Sequence, residues 1–188
     1  MKLLIHICCA NCAIYPIQKI RNRGINLYGL WFNPNIHPFL EYEKRMNSVE
    51  LLKNKISLDL TFIDNYGLVD FIRKVVFDEK SRCKHCYSMR LEETAKNAKR
   101  LSMDAFTTSL LISPYQNINL INQICSEMSE RYNIDYYGED FRDSFYESRS
   151  LGREMGFYQQ KYCGCIYSEM ERYPKIGDRT KKLNKISK

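Results

Sequence analysis

The sequence predicts a three-layer α/β domain built on a mostly parallel, five-stranded sheet. Three observations carry that expectation. Apolar periodicity switches repeatedly between strand and helix types along the chain. Strand-like and helix-like stretches alternate, which is the pattern of right-handed βαβ crossovers. The 188 residues suffice for one sizeable core, and no long Pro/Gly/Ser-rich linker divides them. Residues 1–174 read as a single domain with a metal site at the carboxyl edge of its sheet, and 175–188 as a basic tail.

The first strand is the buried run Leu3–Ile7, which leads straight into Cys8-Cys9-Ala10-Asn11-Cys12. A helix is expected from about Ala13, with Pro16 in its first turn and Gly24 as a stop. Ile25 to Phe32 reads as a second strand, and the prolines of Asn33-Pro34-Asn35-Ile36-His37-Pro38 make the next loop rigid. A helix follows from Phe39 to Lys53, with Leu40, Met46, Val49 and Leu52 inward. Leu58–Ile63 is a third strand and Leu68–Phe77 a short helix. Cys83 to Leu101 forms a long helix, Ala105–Ile112 a Thr-rich fourth strand, and a helix carrying Ile118, Ile121, Ile124 and Met128 comes next. Ile134–Tyr137 is the fifth strand and Phe145–Met155 the last helix. Irregular chain surrounds Cys163-Gly164-Cys165.

Composition narrows the class. The chain has 44% hydrophobic residues, 14 Tyr, 8 Cys and a formal net charge of +7. A regular strand–helix pattern with this many cysteines points to an intracellular metal protein, since disulfide scaffolds are small and loop-rich. Lys2 and the apolar run before Ala10 superficially resemble a signal peptide. The run is short, however, and His6 interrupts it, so it is read as structure and a cytoplasmic location is expected. No run is long enough to cross a bilayer. Arg179, Lys181, Lys182, Lys185 and Lys188 face one acid, Asp178. A solvated tail is the commoner reading of such a run, and contact with a phosphate backbone the functional one.

The chemistry sits in the thiols. Ligands of open α/β sheets bind beyond the carboxyl ends of the strands, and loops along that edge share one rim. Cys8, Cys9 and Cys12, then Cys83 and Cys86, then Cys163 and Cys165 are therefore expected to converge. Cys83 and Cys86, three apart on a helix, face one side. Adjacent Cys8 and Cys9 make a poor knuckle for a single small ion, and a cubane tolerates them better. Seven thiols also exceed the four of a structural zinc site. That leaves two metal centres, or one metal centre and a redox dithiol. Cys163 and Cys165 fit either a relay or a second iron helped by Asp140. Cys125, mid-helix among apolar neighbours, reads as core, as does His6. His85 tunes a cluster or is simply exposed. Tyr132, Tyr136, Tyr137, Tyr146 and Tyr158 could stack on bases but read first as core and rim. There is no G-x-G-x-x-G, no phosphate-binding lysine loop and no Ser-Gly-Gly pyrophosphatase loop, so an adenylating enzyme is not expected.

These motifs together resemble the QueH-type epoxyqueuosine reductases, up to about Tyr173. The resemblance rests on His6-Ile7-Cys8-Cys9-Ala10-Asn11-Cys12, on Asn33 to Pro38 with Glu41, Tyr42 and Arg45, and on Arg82-Cys83-Lys84-His85-Cys86-Tyr87 with Arg90 and Leu91. Thr107 to Asn117, Asp140-Phe141-Arg142 and Tyr158 to Cys165 complete it. The family usually has proline where Asn11 stands, and a leaner loop around Asp143–Glu147. The resemblance implies an adenine-nucleotide α-hydrolase-like fold. It also implies a cobalamin-independent iron–sulfur enzyme that removes the epoxide oxygen of epoxyqueuosine at the tRNA wobble position, leaving an alkene. Fitted to that chemistry, a [4Fe-4S] cluster on Cys8, Cys9, Cys83 and Cys86 passes electrons singly. A mononuclear iron on Cys12 and Asp140 polarises the epoxide, and Cys163 and Cys165 hold the electron pair. Arg82, Arg90 and Arg142 become tRNA contacts, and an electron donor is required. The rival expectation is a zinc-stabilised RNA-binding module without catalysis.

Overall fold

The computed structural model describes residues 1–173, so the expected basic tail lies outside the described residues. The five strands are β1 (Lys2–His6), β2 (Asn26–Trp31), β3 (Leu60–Phe62), β4 (Ala105–Thr108) and β5 (Asp135–Tyr136). All pair in parallel, in the order β3-β2-β1-β4-β5. β1 is thus central, with Ile5 registered against Gly29 on one side and Thr107 on the other. The connection direction reverses between β1 and β4, which opens a crevice at their carboxyl ends.

Helices α1 (Ala10–Arg21), α2 (Phe39–Lys55), α3 (Leu68–Val75), α4 (Arg82–Arg100), α5 (Ile118–Tyr132), α6 (Phe145–Glu154) and α7 (Ile166–Arg172) complete the described chain. α1 packs on α2 and α6, while α4 packs on α3, α5 and β1. Leu3, Leu4, Ile5 and Ile7 are buried, as are Ile14, Ile17 and Ile20 of α1, because a central strand of a parallel sheet is covered on both faces. Among the described residues no helix is long and apolar enough to cross a membrane.

Four expectations change. α1 begins a turn early, with Cys9 as its N-cap, so Pro16 lies inside the helix rather than in its first turn. The fourth strand stops at Thr108 and a 3₁₀ turn takes Ser109–Ile112, because the Thr108 hydroxyl accepts from the Leu110 amide at 3.2 Å. On α2, Leu40 is exposed and Met46 only half-buried. The buried face is instead Glu41, Tyr42, Arg45, Ser48, Val49 and Leu52. A stripe that includes an ion pair escapes a count of apolar residues. Finally, α7 forms where irregular chain was expected.

Candidate metal centre

The site starts where β1 ends. The Cys8 amide donates to the Ser109 hydroxyl at 2.9 Å, tying the ends of the two strands that flank the crevice. Cys9 holds extended backbone (φ −169°, ψ 161°) before the helix turns, and Cys12 follows in the first turn. The three sulfurs lie within 4.8 Å of one another, with Cys8 and Cys9 4.0 Å apart. Adjacent Cys8 and Cys9 converge with Cys12 because extended backbone gives way to helix between them. The Cys8 thiol is held low by bonds from Cys12 and Cys9, with lesser help from His6 and Ser109 against burial. Cys12 is pushed up by Cys8, Cys9 and burial. For Cys9, Cys12 favours the thiolate, but Cys8 and burial outweigh it. Within the triad the thiolate is thus favoured at Cys8 over Cys9 and Cys12, and a metal would displace whatever protons the sulfurs hold.

His6 is buried and hydrogen-bonded, as a core histidine should be. Its Nε2 faces the Asn33 Oδ1 at 3.2 Å and the Phe32 carbonyl at 3.3 Å, both acceptors, so Nε2 bears the proton. Nδ1 then accepts from the Thr108 hydroxyl at 2.9 Å. Burial, then the Arg90 charge, push its pKa down to about 4.

The other four thiols form a second group. Buried Cys86 and Cys165 pack with Phe71 and Val75, while Cys83 and Cys163 are exposed. Burial raises Cys86 to about 12, with Cys163, Cys165 and Cys83 adding repulsion and Arg90 opposing it. Burial and then Cys163 raise Cys83.

A polar strap brings the loop of Cys163 and Cys165 to the triad. Buried Arg45 pairs with Glu41 at 2.6 Å and donates to the carbonyls of Cys163 at 2.7 Å and Tyr162 at 2.8 Å. The Tyr158 hydroxyl donates to Glu41 at 2.6 Å. Asn11 donates to the Tyr158 carbonyl at 2.7 Å and to Gln160, whose Nε2 reaches the Cys9 sulfur at 2.9 Å. The departure from the family's proline is thus a working strut. A cavity of about 480 Å³ results, lined by Cys8, Cys9, Cys12 and Cys163 together with Arg45 and Arg90. Tyr115, Arg149, Lys161 and Arg172 also line it.

Other candidates fall elsewhere. Asp140 is bound by Arg142 at 2.6 Å, with both half-exposed, and lines no part of the cavity. The structure groups Cys12 with Cys8 and Cys9, not with that carboxylate. Arg82 pairs with Glu171 at 2.6 Å. Arg90 is buried against the Cys86 sulfur at 2.9 Å and lines the cavity. His85 meets Asp78 at 3.1 Å rather than a sulfur. Cys125 is core. Tyr132, Tyr136 and Tyr137 spend their hydroxyls on Glu92, Asn122 and Glu139, and Tyr146 is exposed.

Sequence reasoning missed the groups that hold the sulfurs. Ser109 donates to Cys8 at 3.2 Å, and Gln116 to Cys163 at 3.3 Å. Only the i,i+4 spacing of Glu41 and Arg45 could have flagged the strap. Seven sulfurs, several already receiving hydrogen bonds, make a soft donor set of the kind that selects zinc, copper(I) or an iron–sulfur cluster. The residues fit such a group.

The model of the family described as "Epoxyqueuosine reductase QueH" matches residues 3–171. The chain is 33% identical over 176 residues to the epoxyqueuosine reductase QueH of Dehalococcoides mccartyi, covering 93% of this chain and 96% of that one. It is 35% identical over 191 residues to that of Thermotoga maritima, covering 96% of each. Among solved structures, the U34-tRNA thiolase NcsA of Methanococcus maripaludis, with its [4Fe-4S] cluster, superposes at a TM-score of 0.56 and 11% identity, covering 98% of this chain and 67% of that one. A predicted subunit of a tRNA methyltransferase from Methanocaldococcus jannaschii gives 0.52 at 13% identity, covering 82% and 75%. These two likenesses bear out the adenine-nucleotide α-hydrolase-like architecture, and at such identities they speak to the fold alone.

Proposed function

Because the chain belongs to the QueH family and is an epoxyqueuosine reductase, an oxidoreductase of tRNA modification, we propose that its three cysteine groups form one reductive site for the wobble nucleoside of tRNA. Cys8, Cys9, Cys83 and Cys86 would hold a [4Fe-4S] cluster, which supplies electrons one at a time. Cys12 belongs to the same centre. A mononuclear iron on Cys12 and Asp140 is not part of the proposal, since Arg142 already engages that carboxylate.

Cys163 and Cys165 act as the dithiol. Their oxidation to a disulfide releases two electrons and two protons. The epoxide loses its oxygen as water and both C–O bonds break, leaving the alkene, so atoms and electrons balance. An external electron donor returns the disulfide to the dithiol with two electrons and two protons, and a cluster bound at the cysteines would supply the one-electron chemistry. The cavity receives the modified base. Its volume of about 480 Å³ suits one nucleoside presented by a single-stranded loop, which need not be pulled from a duplex. Arg149, Lys161 and Arg172 offer charge to the phosphates and Tyr115 a face for stacking. Arg82 and Arg142 contribute only from the rim, through side chains already paired.

The observation that carries this reading is that the triad and Cys163 line one cavity. Anaerobic purification with iron and sulfide counts tests it. A brown protein with matching iron and sulfide supports it. Colourless protein holding zinc and no sulfide overturns it in favour of a zinc-stabilised RNA-binding module.

A further inference from the structure

One buried charge has no acid to balance it among the described residues. Arg90, in the third turn of α4, is 3% exposed, yet among the described residues it forms no ion pair with a carboxylate. Its Nη2 donates to the Cys86 sulfur at 2.9 Å and its Nε to the Cys86 carbonyl at 3.1 Å. The guanidinium also rests 5.9 Å from the centre of the Tyr87 ring. Arg45, equally buried, shows the contrast, because Glu41 lies 2.6 Å away and matches its charge. A lone buried ion costs several kcal/mol, and proteins do not retain one without a counter-charge.

Besides donating to the Cys86 sulfur, Arg90 borders the same cavity as Cys8, Cys9, Cys12 and Cys163, so sulfurs are the groups placed to balance its charge. Such a partner is negative once the thiols are deprotonated onto metal.

We propose that Arg90 is the built-in counter-cation of the metal centre, balancing its thiolates and raising its reduction potential. The proposal rests on the reading that an anionic iron–sulfur centre sits on these thiols. Each added electron makes such a centre more negative. A fixed positive charge at its edge, in a water-poor interior, favours the reduced state more than the oxidised one. Arg90 acts through the centre and is a positioning residue.

Arg90→Gln and Arg90→Lys, purified anaerobically beside the native chain, test this. Iron, sulfide and midpoint potential are read by titration of the visible and EPR signals. Arg90→Gln should move the potential negative by at least about 59 mV, the tenfold step of a one-electron couple. Arg90→Lys, which keeps the charge, should recover more than half of that shift. Full iron with an unmoved potential in Arg90→Gln overturns the proposal, as does a lysine variant no better than the glutamine one.

Thermal melting gives an independent arm that uses whatever metal the native protein carries. Arg90→Gln should lower the melting temperature of loaded protein, while leaving unchanged or raising that of chelator-stripped protein, where the charge lacks its partner. Equal losses in both forms would mean a packing role and overturn it. A native protein without iron and sulfide sinks the proposed function instead, and the melting comparison still decides on Arg90.

Discussion

The two groups of thiols are built differently. The triad of Cys8, Cys9 and Cys12 is made of neighbours in sequence, at the end of the central strand, and all three are buried. Its geometry follows from a strand meeting a helix, and it is complete within five residues. The quartet of Cys83, Cys86, Cys163 and Cys165 spans two distant segments, half of it exposed. It depends on a polar strap of Glu41, Arg45, Asn11 and Gln160 to hold the second segment in place. The proposed roles cut across this difference: Cys83 and Cys86 of the quartet join Cys8 and Cys9 at the cluster, and the dithiol pairs exposed Cys163 with buried Cys165.

The sharpest way to break that contrast is to take one sulfur from each side. Cys9→Ser or Cys12→Ser should cost the visible absorption and more than about 100-fold in activity, beyond the 10- to 100-fold usual for outer partners of a metal site. Cys163→Ser should lose comparable turnover while keeping iron and colour. Bleaching of the Cys163 variant would make the two groups a single ligand set.

The strap comes next. Arg45→Ala strands the buried Glu41 carboxylate and should destabilise by about 3–5 kcal/mol in urea unfolding, with new proteolytic cleavage in residues 158–165. A loss under about 1 kcal/mol, the scale of a surface pair, would show that the loop is held by something else.

His37, on the same side of the molecule, should make stability depend on pH. Its ring nitrogens make no well-formed hydrogen bond, and burial lowers its pKa to about 4 against a weak opposing contact with the Pro34 carbonyl. Between pH 6.5 and 4 the unfolded chain binds a proton that the folded one refuses, so stability falls as pH falls through that window. The limit is about 3 kcal/mol for one group. His37→Leu should reduce the slope between those pH values, with buried His6 keeping its own share, and an unchanged slope refutes the assignment.

Gly152→Ala probes the triad's own strut. An added Cβ would lie 2.0 Å from the Asn11 Oδ1, so a loss of about 1–3 kcal/mol is expected from overpacking, partly relieved in a background of Asn11→Ala. The smallest effect belongs to Asp140→Asn. Its exposed pair with Arg142 is worth under about 1 kcal/mol, and activity should stay near native. A collapse of activity would return Asp140 to the site.

Much of this was legible in the residues. Alternation of periodicity gave every strand, because it is a local property of backbone and side chain. The 3₁₀ turn after Thr108 was not, since a hydroxyl rather than a hydrophobic pattern ends that strand. The strap was not either. Arg45 and Gln160 stood in the motifs with no role attached, because tertiary contact with a distant segment, not local pattern, buries or employs them. The burial of Arg90 was not legible either, since a basic side chain in a motif gives no sign of the tertiary packing that covers it.

The central claim is that these gathered sulfurs carry iron–sulfur chemistry to a tRNA base. The most direct test is a single-turnover reaction of the iron-loaded, dithionite-reduced protein with tRNA containing epoxyqueuosine, followed by mass analysis of the released nucleosides. The account predicts that the modified nucleoside loses one oxygen atom, and only with iron and sulfide in place. Equal conversion by a zinc-loaded, sulfide-free preparation would contradict it.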